Sequence, residues 1–305
     1  MSLLSWNTRG LGNPRGVRAL SDLVREEDPM VLFLQETKLS EKGMEKLKYR
    51  LGYKNCLAVS SEGRSGGIAL LWKNDVNIVI KNYSRSHIHA TLQDNTTADD
   101  SWFFTGVYGQ PDPSRRHETW NLLRSLKVPS DKGWLLMGDF NEVLSPNEKC
   151  GGRIRTDKQI QAFSEVIDDC ELLDLGFKGN PFTWCNKREP AQCISERLDR
   201  CLANLKWKAL FKMASVSHGS VAYSDHVPIK LQLQVNRMPR KGKKLFRFEA
   251  MWVEEKSCKT IIEKAWGEGF GEGTMLGVMG QIRRCGQQYK IDFGILLTHG
   301  LLSIQ

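Results

Sequence analysis

Trp134-Leu135-Leu136-Met137-Gly138-Asp139-Phe140-Asn141 is the stretch on which the reading of this chain turns. Its four successive apolar residues predict a buried strand. The strand surfaces at Gly138, and a carboxylate and a carboxamide then stand two residues apart. Both offer hard oxygen atoms, so both are candidates to meet a magnesium ion or a phosphate. Gly-Asp also opens ordinary turns. The weight therefore lies on recurrence, because the same arrangement of apolar run and polar end returns along the chain.

Upstream, Ser2 to Trp6 predicts a strand that runs into Asn7-Thr8-Arg9-Gly10. Val17, Leu20, Leu23 and Val24 follow at helical spacing. Met30 to Leu34 is a wholly apolar strand ending in Gln35-Glu36-Thr37-Lys38, and a second helix covers Glu41 to Leu51. Ile68 to Trp72, alternating Val76, Ile78 and Ile80, Ile88 to Leu92, and Trp102 to Val107 continue as strands, the last ending at Tyr108-Gly109. Arg115 to Leu126 reads as helix.

Downstream, a helix through Ile160, Phe163, Val166 and Ile167 starts at a cap on Thr156 or Asp157. Ile194 to Leu202 reads as one strand, with Ser195, Arg197, Asp199 and Cys201 on one face. A short helix covers Lys206 to Phe211. Ser224-Asp225-His226-Val227-Pro228 precedes a clean alternation at Ile229, Leu231, Leu233 and Val235. The apolar strands interleaved with helices give an α/β fold. The chain divides into a main domain over 1–235, a basic linker over 236–244, and a partly helical stretch over 245–305.

Composition narrows the function. Hydrophobic residues make up 40% and charged residues 26%, the balance of a soluble globular protein. The net charge of +9 favours a polyanionic partner, nucleic acid first. Residues 237–305 hold +5 of that charge and the main domain only +4, so charge alone does not define the partner. The eight cysteines form no Cys-x-x-Cys pair, which disfavours a zinc knuckle and fits reduced thiols inside a cell. The N-terminal residues lack the pattern of a secretory signal, and no apolar run reaches the length of a membrane span. An intracellular, nuclear location is the expectation. No membrane and no obligate protein partner is called for.

Collected together, the polar strand ends are Asn7, Glu36, Tyr108, Asp139, Asn141, Asp199, Asp225 and His226. Hydrolysis of a phosphodiester needs a cation on the phosphate, a base for water, and donors for the charge that develops. Glu36 with Asn7 makes a sparse oxygen site that leaves magnesium most of its waters. Asp139 is the candidate base. His226 can donate to a phosphate oxygen while Asp199 fixes its tautomer, and Tyr108 and Asn141 can donate as well. His87 and His89 share a strand face, which reads as ordinary surface in preference to a metal site.

Six motifs in order then resemble a known superfamily: Trp6-Asn7-x-Arg9-Gly10, Gln35-Glu36-Thr37-Lys38, Val107-Tyr108-Gly109, Gly138-Asp139-Phe140-Asn141, Arg197-Leu198-Asp199-Arg200 and Ser224-Asp225-His226-x-Pro228. They are similar to the endonuclease/exonuclease/phosphatase superfamily. Within it they most resemble the apurinic-endonuclease-like domain of plant non-LTR (LINE-type) retrotransposon polyproteins. The resemblance covers roughly residues 1 to 235. It implies a four-layer α/β/β/α sandwich of two packed mixed sheets, DNase I-like, and magnesium-dependent nicking of DNA, with manganese as a substitute metal. It also implies roles. Asn7, Glu36 and Asp225 belong at the metal, and Asp139, Asn141, Tyr108, Asp199 and His226 at the chemistry. Thr183 matches a polar position near the DNA. Arg9, Trp184 and Arg197 join it as substrate-binding candidates, with core packing the alternative for Thr183 and Trp184 and a solvated strand position for Arg197. Phe246 to Trp252 resembles the connector to reverse transcriptase, but no Tyr-x-Asp-Asp motif follows. A phosphoesterase of RNA or of phosphorylated lipid or sugar is the runner-up, and an inactive or merely nucleic-acid-binding remnant is the non-enzymatic alternative.

Overall fold

The apolar runs become the central strands of two six-stranded sheets. The computed structural model describes residues 1–63, 66–94, 101–220 and 223–233. The chain divides into compact units Met1–Asn236 and Arg237–Gln305. The basic linker over 236–244 and the stretch over 245–305 lie outside the described residues.

In chain order the first half contains β1 (Ser2–Asn7), α1 (Pro14–Glu27), β2 (Val31–Gln35), α2 (Glu41–Arg50), β3 (Asn55–Val59) and β4 (Ile68–Trp72). Next come β5 (Val76–Tyr83), β6 (His87–Asp94), β7 (Trp102–Tyr108), α3 (Arg116–Ser125) and β8 (Trp134–Asp139). The second half holds β9 (Lys149–Cys150), α4 (Asp157–Asp169), β10 (Leu172–Asp174), β11 (Trp184–Cys185) and β12 (Ser195–Glu196). It ends with β13 (Asp199–Asn204), α5 (Leu205–Leu210), β14 (Ser215–His218) and β15 (Ile229–Gln232).

One sheet runs β14-β15-β1-β2-β4-β3 and the other β10-β13-β8-β7-β6-β5; a three-stranded sheet, β11-β12-β9, stands apart. Each large sheet carries a single parallel pair, β1 with β2 and β7 with β8, and is otherwise antiparallel. A parallel pair requires a crossover, and α1 and α3 supply it.

The three apolar clusters define the layers. Leu3, Phe33 and Leu231 of the first sheet meet Phe104, Leu135 and Met137 of the second in the central core. Leu4, Leu32 and Leu34 on the opposite face of the first sheet meet Leu20 and Leu47 of α1 and α2. Leu136 and Leu202 meet Leu123 and Phe163 of α3 and α4 in the same way. Alternate residues of a strand thus feed different layers, which is why β1, β2 and β8 read as continuous apolar runs. The result is an α/β/β/α sandwich.

Local signals set the helix ends. Asn13 accepts from Gly16 N–H ahead of Pro14, and Thr156 with Gln159 forms a capping box, so Thr156 is the cap. Close approach explains one glycine. A Cβ on Gly106 would lie 2.5 Å from the Phe33 ring, so glycine lets the sheets meet there.

Two expectations differ from the structure. The single strand over 194–202 is broken: β12 belongs to the small sheet and β13 to the large one. Between them Arg197 N–H donates to Glu148 O, and Thr183 Oγ1 accepts the N–H groups of Leu198 and Asp199. Those bonds replace the ladder and remove the shared face. His87 and His89 are buried, not on the surface. His87 bonds to Ser84 and Asn82, while His89 bonds to Thr105 and stacks on Phe103. Strands β10 and β14, three and four residues long, are too short for periodicity to reveal them, and β3 is an edge strand whose apolar run Cys56 to Val59 is only half-buried.

Candidate active site

Parallel strands finish on the same side, so the loops leaving them share a rim. In the first sheet Asn7 stands opposite Gln35, with Glu36 next in the chain. In the second, Tyr108 stands opposite Asp139. The antiparallel neighbours enter at the same level: β13 begins at Asp199, opposite Asp139, and His226 precedes β15 beside β1.

Face-to-face packing closes the rim between sheets. Asn7 Nδ2 donates to Glu36 Oε1 at 3.1 Å and, across the sandwich, to Asp139 Oδ2 at 3.0 Å. The Tyr108 hydroxyl crosses back to Glu36 Oε1 at 3.1 Å. His226 Nδ1 lies 2.8 Å from Asp199 Oδ2, and its Nε2 lies 3.8 Å from Asp139 Oδ2. A carboxylate only accepts, so Nδ1 carries the hydrogen and Nε2 faces Asp139. Asn7, Asp139, Asp199 and His226 are buried, whereas Glu36 and Tyr108 are half-buried. The group is dry behind and wet in front.

The backbone is shaped for this. Arg9, Glu36 and Asn141, which follow β1, β2 and β8, have φ of +49°, +46° and +57°. Non-glycine residues enter the left-handed region at a cost, and such residues cluster where loops are held for a purpose. Gly138 has φ of +147°, and a Cβ there would lie 2.0 Å from Val107 O. Only glycine lets β8 deliver Asp139.

Charge states follow from burial and neighbours. Burial raises the Asp139 carboxyl above the usual carboxylate range, against the pull of His226. Burial also pulls His226 down, but the Asp199 and Asp139 carboxylates outweigh it and push the imidazole up to about 9. Burial, with Glu36 and Asp139 nearby, keeps Tyr108 protonated and therefore a donor. Asp139, Asp199 and His226 offer ligand atoms within 4.8 Å of one another, a group that could hold a metal. Glu36 and Asp139 present carboxylate oxygens on either side of the Asn7 amide, whose Nδ2 faces both and whose Oδ1 accepts from Arg9 N–H. With no thiol among them, the carboxylates fit a hard divalent cation such as magnesium.

The remaining candidates sort by their partners. Asn141 N–H donates to Asp139 Oδ1 at 2.9 Å and its side-chain amide to Gly109 O at 2.8 Å. Asp225 is ion-paired with Arg9 and accepts from Trp184 Nε1 at 2.9 Å, so its carboxylate ties rim loops together. Thr183 is buried and holds the backbone that presents Asp199. Arg197 is not brought to the rim group: it is buried against Glu148 and Asp174 and lies over the Phe177 ring. Two positioning groups carried no assigned role in the sequence. Trp6 Nε1 donates to His226 O at 3.0 Å. Ser224 Oγ donates to Asn7 O at 2.8 Å and accepts from His226 N–H. Both lie inside the motifs Trp6-Asn7 and Ser224-Asp225-His226, which was the available signal.

Two mixed six-stranded sheets flanked by helices, with a polar rim at the ends of their parallel strands, define a DNase I-like fold. The Endonuclease/Exonuclease/phosphatase family model matches residues 4–226, and the chain belongs to that family of phosphoesterases. Solved structures agree on the fold. A 3'-5' exonuclease (NExo) from Neisseria meningitidis is 20% identical, covering 77% of this chain and 100% of its own, with a TM-score of 0.58. An AP endonuclease from Archaeoglobus fulgidus is 15% identical with a TM-score of 0.61, at 77% and 100% coverage. The endonuclease domain of TRAS1, a telomere-specific non-LTR retrotransposon, is 12% identical with a TM-score of 0.57, at 77% and 99% coverage. Among the described residues no helix is long and apolar enough to cross a membrane.

Proposed function

We propose that this chain is a magnesium-dependent phosphodiester hydrolase acting on DNA, an endonuclease of the type carried by non-LTR retrotransposons, working in the nucleus. The observation that carries the reading is the cross-sheet group itself. It sets Asp139, His226 and Asp199 in a buried line beside the Asn7 carboxamide and the Glu36 carboxylate.

Magnesium, or manganese in its place, would be held by Glu36 and Asn7 and would neutralise charge on the bound phosphate. Asp139 takes the proton of the attacking water, a task for which its raised carboxyl is a stronger base than an exposed aspartate. His226 enters protonated and donates its Nε2 hydrogen to a non-bridging oxygen, while Asp199 stabilises the imidazolium and keeps the ring from turning. Tyr108 and Asn141 supply further hydrogen bonds to phosphate oxygens.

DNA is favoured by the rim's surroundings. A cavity of about 530 Å³ is lined by Arg9, Trp184, Lys187, Arg188 and Tyr223. A second, of about 650 Å³, lies against Trp184 with Arg153, while Lys149 and Arg155 of its lining are ion-paired with Glu196. Cations beside aromatic faces suit phosphates and bases together. The retrotransposon origin rests on the order of the sequence motifs.

Nicking of supercoiled plasmid tests the reading. Relaxation with magnesium, lost in EDTA and lost in Asp139→Ala or His226→Ala, is the expected result. A folded protein that leaves plasmid intact but cleaves RNA or a phosphorylated lipid or sugar shifts the substrate class. No cleavage of any of these refutes the enzymatic reading.

A further inference from the structure

The small sheet beside the rim gathers thiols. Cys185 stands opposite Ser195, and Ser195 stands opposite Cys150. Directly opposed residues share a sheet face, so these side chains lie together. Cys193, two residues before Ser195, joins them. Its Sγ is 3.6 Å from Cys185 Sγ and 3.9 Å from Ser195 Oγ. Both cysteines are half-buried and free.

The loop between the two thiols is closed at its base. Asn186 N–H donates to Ile194 O at 3.0 Å, Ile194 N–H returns to Asn186 Oδ1 at 3.0 Å, and Asn186 Nδ2 reaches Gln192 O at 2.8 Å. Asn186, Lys187 and Arg188 of this loop line the cavity that also contains Arg9 and Trp184. Cys185 N–H donates to Asp225 O at 3.0 Å, so the hairpin is tied to the residue before His226.

We propose that Cys185 and Cys193 form a reversible disulfide that fixes the 186–192 loop and thereby sets how it presents Arg188 to the substrate cavity. The part concerning substrate rests on the phosphodiesterase reading above. The sulfur atoms, 3.6 Å apart, must close by about 1.5 Å to reach bonding distance, a movement within the range of side-chain torsions. Cys185 is the attacking sulfur. The Lys187 N–H, 3.4 Å from its Sγ, holds the thiol below its ordinary range, and the hydrogen bond to Cys185 raises Cys193.

Oxidised glutathione serves as the oxidant. The Cys185 thiolate attacks one of its sulfur atoms and releases one glutathione thiolate. Cys193 then gives up its proton as it displaces the second glutathione from Cys185. One protein S–S bond forms, one glutathione S–S bond breaks, and the two thiol protons end on the two glutathiones released.

The test equilibrates the full chain in glutathione redox buffers, blocks free thiols and maps tryptic peptides by mass. Trypsin cuts inside the loop after Lys187 and Arg188, so the linked form gives a Cys185 peptide joined to a Cys193 peptide. The joined species is about 2 Da lighter than its separated parts and falls apart in dithiothreitol. Cys193→Ser abolishes it without changing the melting temperature. Absence of the joined peptide in the most oxidising buffer, or joining through Cys150 instead, overturns the pairing. Linked and reduced protein are next compared on plasmid. A change in KM of about threefold at unchanged kcat, absent from Cys193→Ser, is expected. Equal KM values overturn the loop's role. Protein that links as described yet cleaves nothing upholds the pairing and refutes the phosphodiesterase reading alone.

Discussion

Asp199→Asn removes one charge from the buried line and keeps its shape. In the native chain burial disfavours the His226 imidazolium, yet the Asp199 and Asp139 carboxylates lift the ring from 6.5 to about 9. That displacement is a preference for the charged form of roughly 3 kcal/mol. Asp199 heads the opposing causes and also accepts the Nδ1 hydrogen bond at 2.8 Å. With its charge gone, His226 should titrate well below its native value, because burial then works against the imidazolium with Asp139 as the main opposing charge. The assay is an NMR titration of the His226 ring in EDTA, so that only the chain's own charges act. Plasmid nicking at saturating magnesium should fall by a factor on the order of 10². Linkage gives a second readout. The folded value lies above the unfolded one, so this stabilisation is complete below about pH 6.5 and disappears as pH rises through about 9. The stability gap between native and variant protein should therefore be widest near pH 6 and narrow toward pH 10. A variant whose His226 titrates within about half a unit of native refutes the charge argument.

Arg200→Met removes a fully buried guanidinium and leaves the half-buried pair Glu148 and Asp174, which it holds at 2.7 and 2.8 Å, with Arg197 as their one remaining cation among the described ion pairs. Urea denaturation should register a loss of about 3–5 kcal/mol, and a loss below about 1 kcal/mol would contradict the network. Gly138→Ala forces a Cβ to 2.0 Å from a backbone oxygen and should cost more than about 4 kcal/mol. Gly12→Ala, with nothing within 4 Å, serves as the silent control. Burial lowers both His87 and His89 to about 4. The unfolded chain binds those protons first, so stability present above about pH 6.5 is lost as pH falls toward 4. His89→Gln should flatten the decline in unfolding free energy, measured by urea denaturation between pH 7 and 4.5, by about 2 kcal/mol, and an unchanged slope would exclude His89 as its source.

Much of this was legible because it is local. Helix caps at Asn13 and Thr156 act within three residues. The apolar runs of β1, β2 and β8 announce burial on both faces, and the polar residue closing each run marks where it meets the rim. The break between β12 and β13 was not legible. It depends on Thr183 and Glu148, distant residues that take over backbone groups a strand would have paired. Arg197 misled for the same reason, since nothing beside it in sequence announces Glu148 and Asp174 as its partners. The burial of His87 and His89 likewise came from neighbours supplied by the turn before β6 and by β7.

The sequence by itself determined the fold class and the chemical inventory, because strand ends, caps and oxygen donors are properties of short segments. Tertiary structure decided which donors meet. Asn7 reaches Asp139 over a separation of 132 residues, and Arg9 reaches Asp225 over 216. Two sheets had to stack in one register before Tyr108 could touch Glu36, or His226 could stand between two carboxylates. Those contacts move Asp139 and His226 from their ordinary acidities, since the shifts come from burial and neighbouring charge, which no isolated strand possesses.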